Sequence, residues 1–305
     1  VAYADEGITI RKQGIQIPII VMNPEPTSLT DIIENRLEPS IYSMDALQEF
    51  IHELILREET NYPIHIKLNT GMNRLGFNED QIDRLIDVLE TQPEVYVRSI
   101  FSHLSVADDN RENEFTFGQI RTFEIMSGTI CDRLSYPIVR HIANSAASLN
   151  FRQSHFDMVR LGIGMFGLYS TPDHRLENAL TLISRISQVN TVKAGDSVGY
   201  GRSFIAVNDM LVGIVPVGYA DGLNRALSRG KWSLVINGKK APIIGNICMD
   251  MCMVDLTGIE AKRGDNAVIF GSENSIKDMA HILHTIPYEI ISSISSRVFR
   301  VYLED

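Results

Sequence analysis

The chain has 305 residues, 44% of them apolar, enough for two domains or for one barrel with an attachment around a large core. A formal net charge of -10 argues against a nucleic-acid-binding or anionic-membrane surface, and no apolar run approaches the roughly 18 residues of a membrane span. Three cysteines, Cys131, Cys248 and Cys252, are too few and too irregular for a disulfide framework, and no His/Asp/Glu cluster has metal-ligand spacing. A cytoplasmic protein without a metal is expected.

The chain opens on Val1-Ala2-Tyr3-Ala4, which reads as a strand already under way, followed by a helical stretch over 5–13. With no initiator Met and no signal pattern, further sequence upstream is expected. Up to about residue 180, short apolar runs alternate with amphipathic helices. Strands are expected over 1–4, 17–22, 40–42, 64–68, 97–103, 138–143 and 158–161, with helices over 44–57, 79–89 and 114–134 between them. Such alternation implies a parallel sheet with right-handed crossovers. Seven such units suit an α/β fold of the (β/α)8 (TIM-type) barrel kind that lacks its first strand, over 1–180. Past residue 180 the texture changes to short strands at 182–192, 211–217, 232–236, 241–244, 251–256 and 267–270, with one helix at 276–284. Two Lys-x-Gly-Asp turns and the hairpin dipeptide Asn237-Gly238 punctuate them, which predicts a mostly antiparallel β domain over 181–305.

Four barrel strands end in polar clusters: Lys67 with Arg74; Ser102-His103; the run 141–145; and the run 160–164. Loops at strand C-termini converge on the active-site face of parallel α/β folds. A single histidine there is more often structural, but four clusters in register are harder to dismiss, since buried Lys, Arg and His are costly unless paired or used. On residues alone, Lys67 reads as the reactive amine. Ser145, ahead of a helix, and the backbone of Gly162-Ile163-Gly164 suit an anionic cofactor group, although tight turns explain the glycines equally well. In the second domain, the turn 218–222 presents Tyr219 after an apolar strand, as a surface aromatic or as a functional group.

These motifs closely resemble the alanine racemases, pyridoxal-phosphate (PLP) enzymes of fold type III. The resemblance rests on the run 67–76, His103 with Asp108, 141–145, 160–163, Gly199-Tyr200-Gly201, 218–222, 248–250 and Ser295-Ser296-Arg297-Val298, and so spans the whole chain. It implies a barrel plus a β domain, PLP as cofactor and alanine as substrate. It also implies a homodimer whose active sites take barrel residues from one subunit and β-domain residues from the other. Arg160 matches the arginine at the pyridine nitrogen, supported by His141 and Asn144. Ser145, Gly162, Ile163 and Tyr288 match phosphate contacts. Tyr219 matches one of two catalytic bases, and Met249 a residue whose backbone helps hold the substrate carboxylate. A free phenol titrates near 10, so poising it near 7 needs roughly 4 kcal/mol, which one cation about 4 Å away supplies. Arg74 and His103 are the two candidates for that help. Lys67 then changes role. It matches a carbamylated lysine that orients the neighbouring arginine, where some relatives place a chloride. Two adjacent buried cations would repel by roughly 4 kcal/mol, and a carbamate turns that repulsion into an ion pair.

The family's cofactor-bearing lysine sits in a Lys-Ala-x-Ala-Tyr-Gly motif that does not occur in these 305 residues. Its usual place is upstream of Val1, so the 305-residue chain by itself is expected to be inactive. Asn69 stands where Asp is usual, and Asn246 where Arg is usual near the entrance. The expected function is PLP-dependent interconversion of L- and D-alanine for peptidoglycan by a two-base mechanism. The alternatives are a racemase for another amino acid, the racemase half of a fusion with a peptidoglycan-precursor ligase, a fold-type III decarboxylase, and a non-catalytic dimer of the same fold.

Overall fold

The computed structural model describes residues 1–168 and 176–303. By internal contacts the chain divides into two compact units, Val1–Gly162 and Ile163–Asp305.

Among the described residues, the first unit holds five parallel strands in the order of the chain: β1 (Ile20–Val21), β2 (Glu38–Ile41), β3 (Tyr62–Lys67), β4 (Val95–Phe101) and β5 (Val139–His141). The crossovers carry α1 (Ala4–Lys12) ahead of β1, then α2 (Leu29–Glu34), α3 (Met44–Leu56), α4 (Ile82–Leu89) and α5 (Asn113–Leu134), with α6 (Ser145–Asn150) after β5. The helices form where the apolar spacing allows one face to be buried. In α3 the buried residues are Leu47, Phe50, Ile51 and Leu54, and in α4 Ile82, Leu85, Ile86 and Leu89, each following the i, i+3, i+4, i+7 pattern of one stripe. Ser43 starts α3 by accepting from the Ala46 N–H (3.2 Å). Each of these side chains contributes on the order of 1.5–3 kcal/mol by leaving water.

Two of the seven expected barrel strands are not regular strands. Residues 1–2 bond to β1 and to the two residues that follow it (Val1 N to Ile20 O, 2.9 Å; Met22 N–H to Val1 O, 3.0 Å; Asn23 N–H to Ala2 O, 2.9 Å). The Glu6 carboxylate then captures the Ala2 N–H at 2.6 Å and winds the chain into α1, so the strand stops before Ala4. Residues 158–161 lie beside β5 with only isolated bonds, such as Arg160 N–H to Ala143 O (3.0 Å), too few for a ladder.

The second unit is built on a seven-stranded sheet. Its strands are β6 (Leu182–Arg185), β7 (Gln188–Val192), β10 (Met210–Val215), β11 (Ser233–Ile236), β12 (Lys239–Ile244), β13 (Cys252–Asp255) and β14 (Asn266–Phe270), with the ribbon β8 (Ser197–Val198) and β9 (Phe204–Ile205) beside it. The expected single strand over 182–192 is broken: Ile186 bonds to the Asp265 carbonyl and Ser187 to that of Ile214. β6 and β7 therefore sit at opposite ends of the strand order, yet only two residues join them. The sheet has to curl to let that happen. Asn237 (φ 47°) and Gly238 (φ 74°) make the two-residue β11–β12 hairpin with both residues left-handed, as the dipeptide predicts. Trp232, Leu234, Ile243, Val254 and Phe270 fill the core, with the Trp232 indole N–H on the Ile269 carbonyl (2.9 Å). Two helices follow, α7 (Ile276–Leu283) and α8 (Pro287–Ser292), the second without a sequence signal beyond Pro287 at its start. No described helix is long and apolar enough to cross a membrane.

Candidate active site

In the first unit the expected strand-end residues come together around Arg160. Its Nη1 donates to His141 Nδ1 (2.7 Å) and to the His141 carbonyl (3.2 Å). Its Nη2 donates to the Ser102 carbonyl (2.8 Å), the Ile142 carbonyl (3.2 Å) and His103 Nδ1 (3.3 Å). The guanidinium is thus pinned to the ends of β4 and β5. Among the described residues only its Nε donor has no hydrogen-bond partner. Burial pushes the Arg160 pKa down to about 10, which still leaves the group charged at neutral pH.

This fixed cation sets its neighbours. His141 is pushed down to about 3 by burial, then by Arg160 and His65. His103 is pushed down to about 4 by burial, then by Arg160, Arg74 and Lys67. Both imidazoles are neutral acceptors at physiological pH. His141 also stacks on Phe101 at 5.2 Å, with planes 3° apart.

Lys67, the last residue of β3, is buried, and its pKa is lowered by burial first, then by Arg74 and Arg160. Among the described residues its Nζ has no hydrogen-bond or ion-pair partner and lies 5.7 Å from the Phe101 ring centre. Arg74 differs from expectation in being exposed. The cation pair is half in water, and its mutual repulsion is screened accordingly. The loop between them is tied by Asn69, whose side-chain oxygen accepts from the Gly71 and Asn73 N–H groups. Its amide donates to Asn73 Oδ1 (3.0 Å) and Asn78 Oδ1 (2.8 Å), two bonds that an aspartate in this place could not donate. Gly76, at φ 131°, closes the loop where a Cβ would stand 2.6 Å from the Asn69 nitrogen.

Ser145 and Gly162 meet directly, the Gly162 N–H donating to Ser145 Oγ (2.9 Å). Asn144 caps α6 through Ala147 and also donates to the Leu104 carbonyl (3.2 Å). Ile163, buried, and Tyr288, half exposed on α8, belong to the second unit.

Also in the second unit, Tyr219, Met249, Tyr200, Arg225 and Asn246 line a cavity of about 490 Å³. The Tyr219 and Met249 residues are 44% and 58% exposed, while the backbone beneath them is tied by hydrogen bonds. Tyr219 N–H donates to the Cys248 carbonyl, Ala220 N–H to that of Met249, and Gly218 N–H to Asp221 Oδ2. Asp221 in turn holds Arg297 at 2.7 Å. Gly218 is required by close approach, since a Cβ there would lie 2.4 Å from the Cys248 and Met249 backbone. Asn246 accepts from Arg229 Nε (3.1 Å) and donates to the Tyr200 carbonyl (3.0 Å), so the residue that departs from the usual arginine is a structural link.

The comparisons with known proteins agree with this geometry. The family model for the alanine racemase N-terminal domain matches residues 1–170, and that for the C-terminal domain matches 179–302. The chain belongs to the alanine racemase family. It is 36% identical to alanine racemase 1 of Clostridium acetobutylicum, over 100% of this chain and 81% of the relative. Among solved structures, the alanine racemase of Clostridium difficile 630 superposes with a TM-score of 0.91 at 30% identity, covering 100% of this chain and 82% of that one. That of Streptomyces lavendulae gives 0.90 at 32%, with the same coverage. Alanine racemases are PLP-dependent isomerases with a (β/α)8-type barrel and a β domain, and this is the fold of the chain. The residues present fit that cofactor: a half-buried permanent cation with one donor to spare suits an aromatic ring nitrogen, and the Ser145–Gly162 contact unites two of the positions matched to its phosphate. The buried line Glu38, His65, Ser99, by contrast, is hardly legible in the sequence. Its only signal there is a polar residue at an inward position on each of three apolar strands.

Proposed function

We propose that this protein interconverts L- and D-alanine with PLP, and that the Arg160 cluster is its cofactor end. The observation that carries the reading is the half-buried guanidinium of Arg160, which has no carboxylate partner among the described residues and is fixed by five hydrogen bonds. Arg160 donates to the pyridine nitrogen, while Ser145, Gly162, Ile163 and Tyr288 hold the phosphate. When bound, PLP supplies the electron sink that acidifies the substrate Cα–H. A permanent cation such as Arg160 beside the ring nitrogen would disfavour its protonation, which would temper the sink and favour reprotonation at the same carbon. His141 and Asn144 hold Arg160 and its strand end in place. Tyr219 acts as proton acceptor and donor on one face of the substrate, with Arg74 or His103 stabilising its phenolate. The Met249 backbone and Arg74 receive the substrate carboxylate. The base for the other face is not assigned to a residue of this sequence.

The functional division into a barrel over 1–180 and a β domain over 181–305 is part of this reading. So are a homodimer, a cytoplasmic location, and a net charge of -10 that suits neither nucleic acid nor anionic membranes. The exposed tips Tyr219 and Met249 reach the partner subunit's barrel, so each site needs both chains. Racemisation of alanine, measured on the enzyme purified from its native host, tests the reaction. Sharing is tested by mixing an inactive Arg160→Ala dimer with an inactive Tyr219→Phe dimer. Half of the re-formed dimers are mixed, each with one intact site, so about a quarter of the sites should regain activity. Sites confined to single chains would regain none.

Beside Lys67 we expect an anion, either chloride or a carbamate. In the latter the neutral Nζ attacks carbon dioxide, the N–C bond forms and a proton is released to solvent. The depressed pKa favours that neutral amine. A carbamate resonance after incubation with ¹³C-bicarbonate, or halide-dependent activity, is the expected result. A bare amine with neither signal rules the anion out.

A further inference from the structure

Behind Arg160, a line of polar side chains crosses the first unit, drawn from four neighbouring strands. Arg98 Nη1 meets Glu38 Oε1 at 2.6 Å, and Glu38 Oε2 lies 2.8 Å from His65 Nε2. His65 Nδ1 is 2.6 Å from Ser99 Oγ, which is 3.1 Å from His141 Nε2. His141 Nδ1 then meets Arg160 Nη1 at 2.7 Å. The strand register aligns Ser40 with His65, His65 with Ser99 and Ser99 with Val139; Glu38 and His141, each two residues along from Ser40 and Val139, share their faces, so β2, β3, β4 and β5 each contribute one member. Glu38, His65, Ser99 and His141 are at most 5% exposed, and only Arg98 reaches solvent.

The hydrogens along this line are determined from its ends. A guanidinium can only donate, so His141 Nδ1 accepts and carries no proton. The neutral ring then bears its hydrogen on Nε2 and donates to Ser99 Oγ. Among the described residues Ser99 Oγ has one other partner, His65 Nδ1, and a buried hydroxyl spends its hydrogen where an acceptor exists. His65 Nδ1 therefore accepts, and its Nε2–H donates to Glu38. The carboxylate, an acceptor only, receives His65 on one oxygen and Arg98 on the other. Every bond between Arg160 and Glu38 points towards Glu38, and such aligned chains strengthen one another in a low-dielectric interior.

We propose that Glu38 is a positioning residue for the reaction: through His65 and Ser99 it fixes the tautomer of His141, and so keeps a lone pair turned to Arg160. The role in catalysis rests on Arg160 being the cofactor contact; the hydrogen-bond direction does not. The consequence is specific. In Glu38→Gln the side chain has one accepting oxygen for two donors. If Arg98 takes it, the amide N–H faces His65 Nε2, and His65, Ser99 and His141 must all turn round. A proton on His141 Nδ1 then opposes the guanidinium. Removing Arg98 as well frees the oxygen for His65 and restores the original sense.

Histidine ¹⁵N–¹H correlation spectra of the PLP-loaded enzyme read the tautomers directly. In the wild type, His65 and His141 should both be protonated on Nε2 only. A proton on Nδ1 of either ring overturns the proposal without any variant being made. Glu38→Gln should move both protons to Nδ1 and lower kcat by about tenfold, the size of one misdirected charged hydrogen bond. Glu38→Gln with Arg98→Leu should return the wild-type spectrum and most of the activity. A merely structural glutamate predicts that the double variant is no better than the single one, and that result also overturns the proposal. Expected tautomers in a wild-type protein that does not racemise alanine support the relay and contradict the functional reading instead.

Discussion

The two proposed functional regions are built on opposite principles. Around Arg160 the side chains are buried or half-buried, and the guanidinium is held by backbone carbonyls and neutral imidazoles. Around Tyr219 the side chains are exposed, and it is the backbone that is locked, by the Cys248 and Met249 carbonyls and by the Asp221–Arg297 pair. A cation that must stay charged and in place benefits from dry surroundings that supply acceptors in advance. A group that must reach a reacting carbon benefits from a free tip on a rigid stem. The first region therefore concentrates its sensitivity in protonation, and the second in geometry.

The comparison is broken most severely at the tip. Tyr219→Phe keeps the turn and removes the proposed proton carrier, and kcat should fall by about 10²–10⁴ with folding unchanged. Activity close to wild type would remove the tyrosine from the two-base assignment. The stem is tested next. Gly218→Ala places a methyl group 2.4 Å from the Cys248 and Met249 backbone. The turn must shift, with about 1–3 kcal/mol lost in urea unfolding and a raised KM as Tyr219 and Met249 move together. The same exchange at Gly195, where a methyl group would meet no atom within 4 Å although φ is 88°, should disturb neither kinetic constant.

The buried region answers to pH. His141 and His103 are held down at about 3 and about 4, against an ordinary value of 6.5. Between those values the unfolded chain binds protons that the folded chain does not. Stability is therefore present in full above pH 6.5 and is lost as pH falls through the window from 6.5 to 3, by up to about 1.4 kcal/mol per pH unit for each histidine. Urea midpoints measured between pH 7 and 4 should show this slope, and His141→Asn should flatten it. An unchanged slope in that variant would mean that other groups carry the acid sensitivity.

Much of this was legible in the residues. The alternation of apolar runs with amphipathic stripes predicts the parallel strands and α3, α4 and α5 within a few residues, because burial of one face is a local property of spacing. Strand ends were less legible. Residues 1–4 stop short because Glu6 captures the Ala2 N–H, and 182–192 breaks because its halves pair with β14 and β10. Both outcomes depend on partners far along the chain or on one side-chain contact that periodicity does not register.

The sequence by itself determined the family, the fold class and the set of residues at the strand ends, since motif order and apolar spacing are linear properties. Only the tertiary structure decided their states. It showed Lys67 buried but Arg74 exposed, His141 neutral through burial beside a fixed cation, and Tyr219 held by its backbone. It also joined Glu38, His65, Ser99 and His141, up to 103 positions apart, into one line. Charge state and hydrogen-bond direction follow from which groups are excluded from water together, and that is settled when strands pair, not when residues are strung in order.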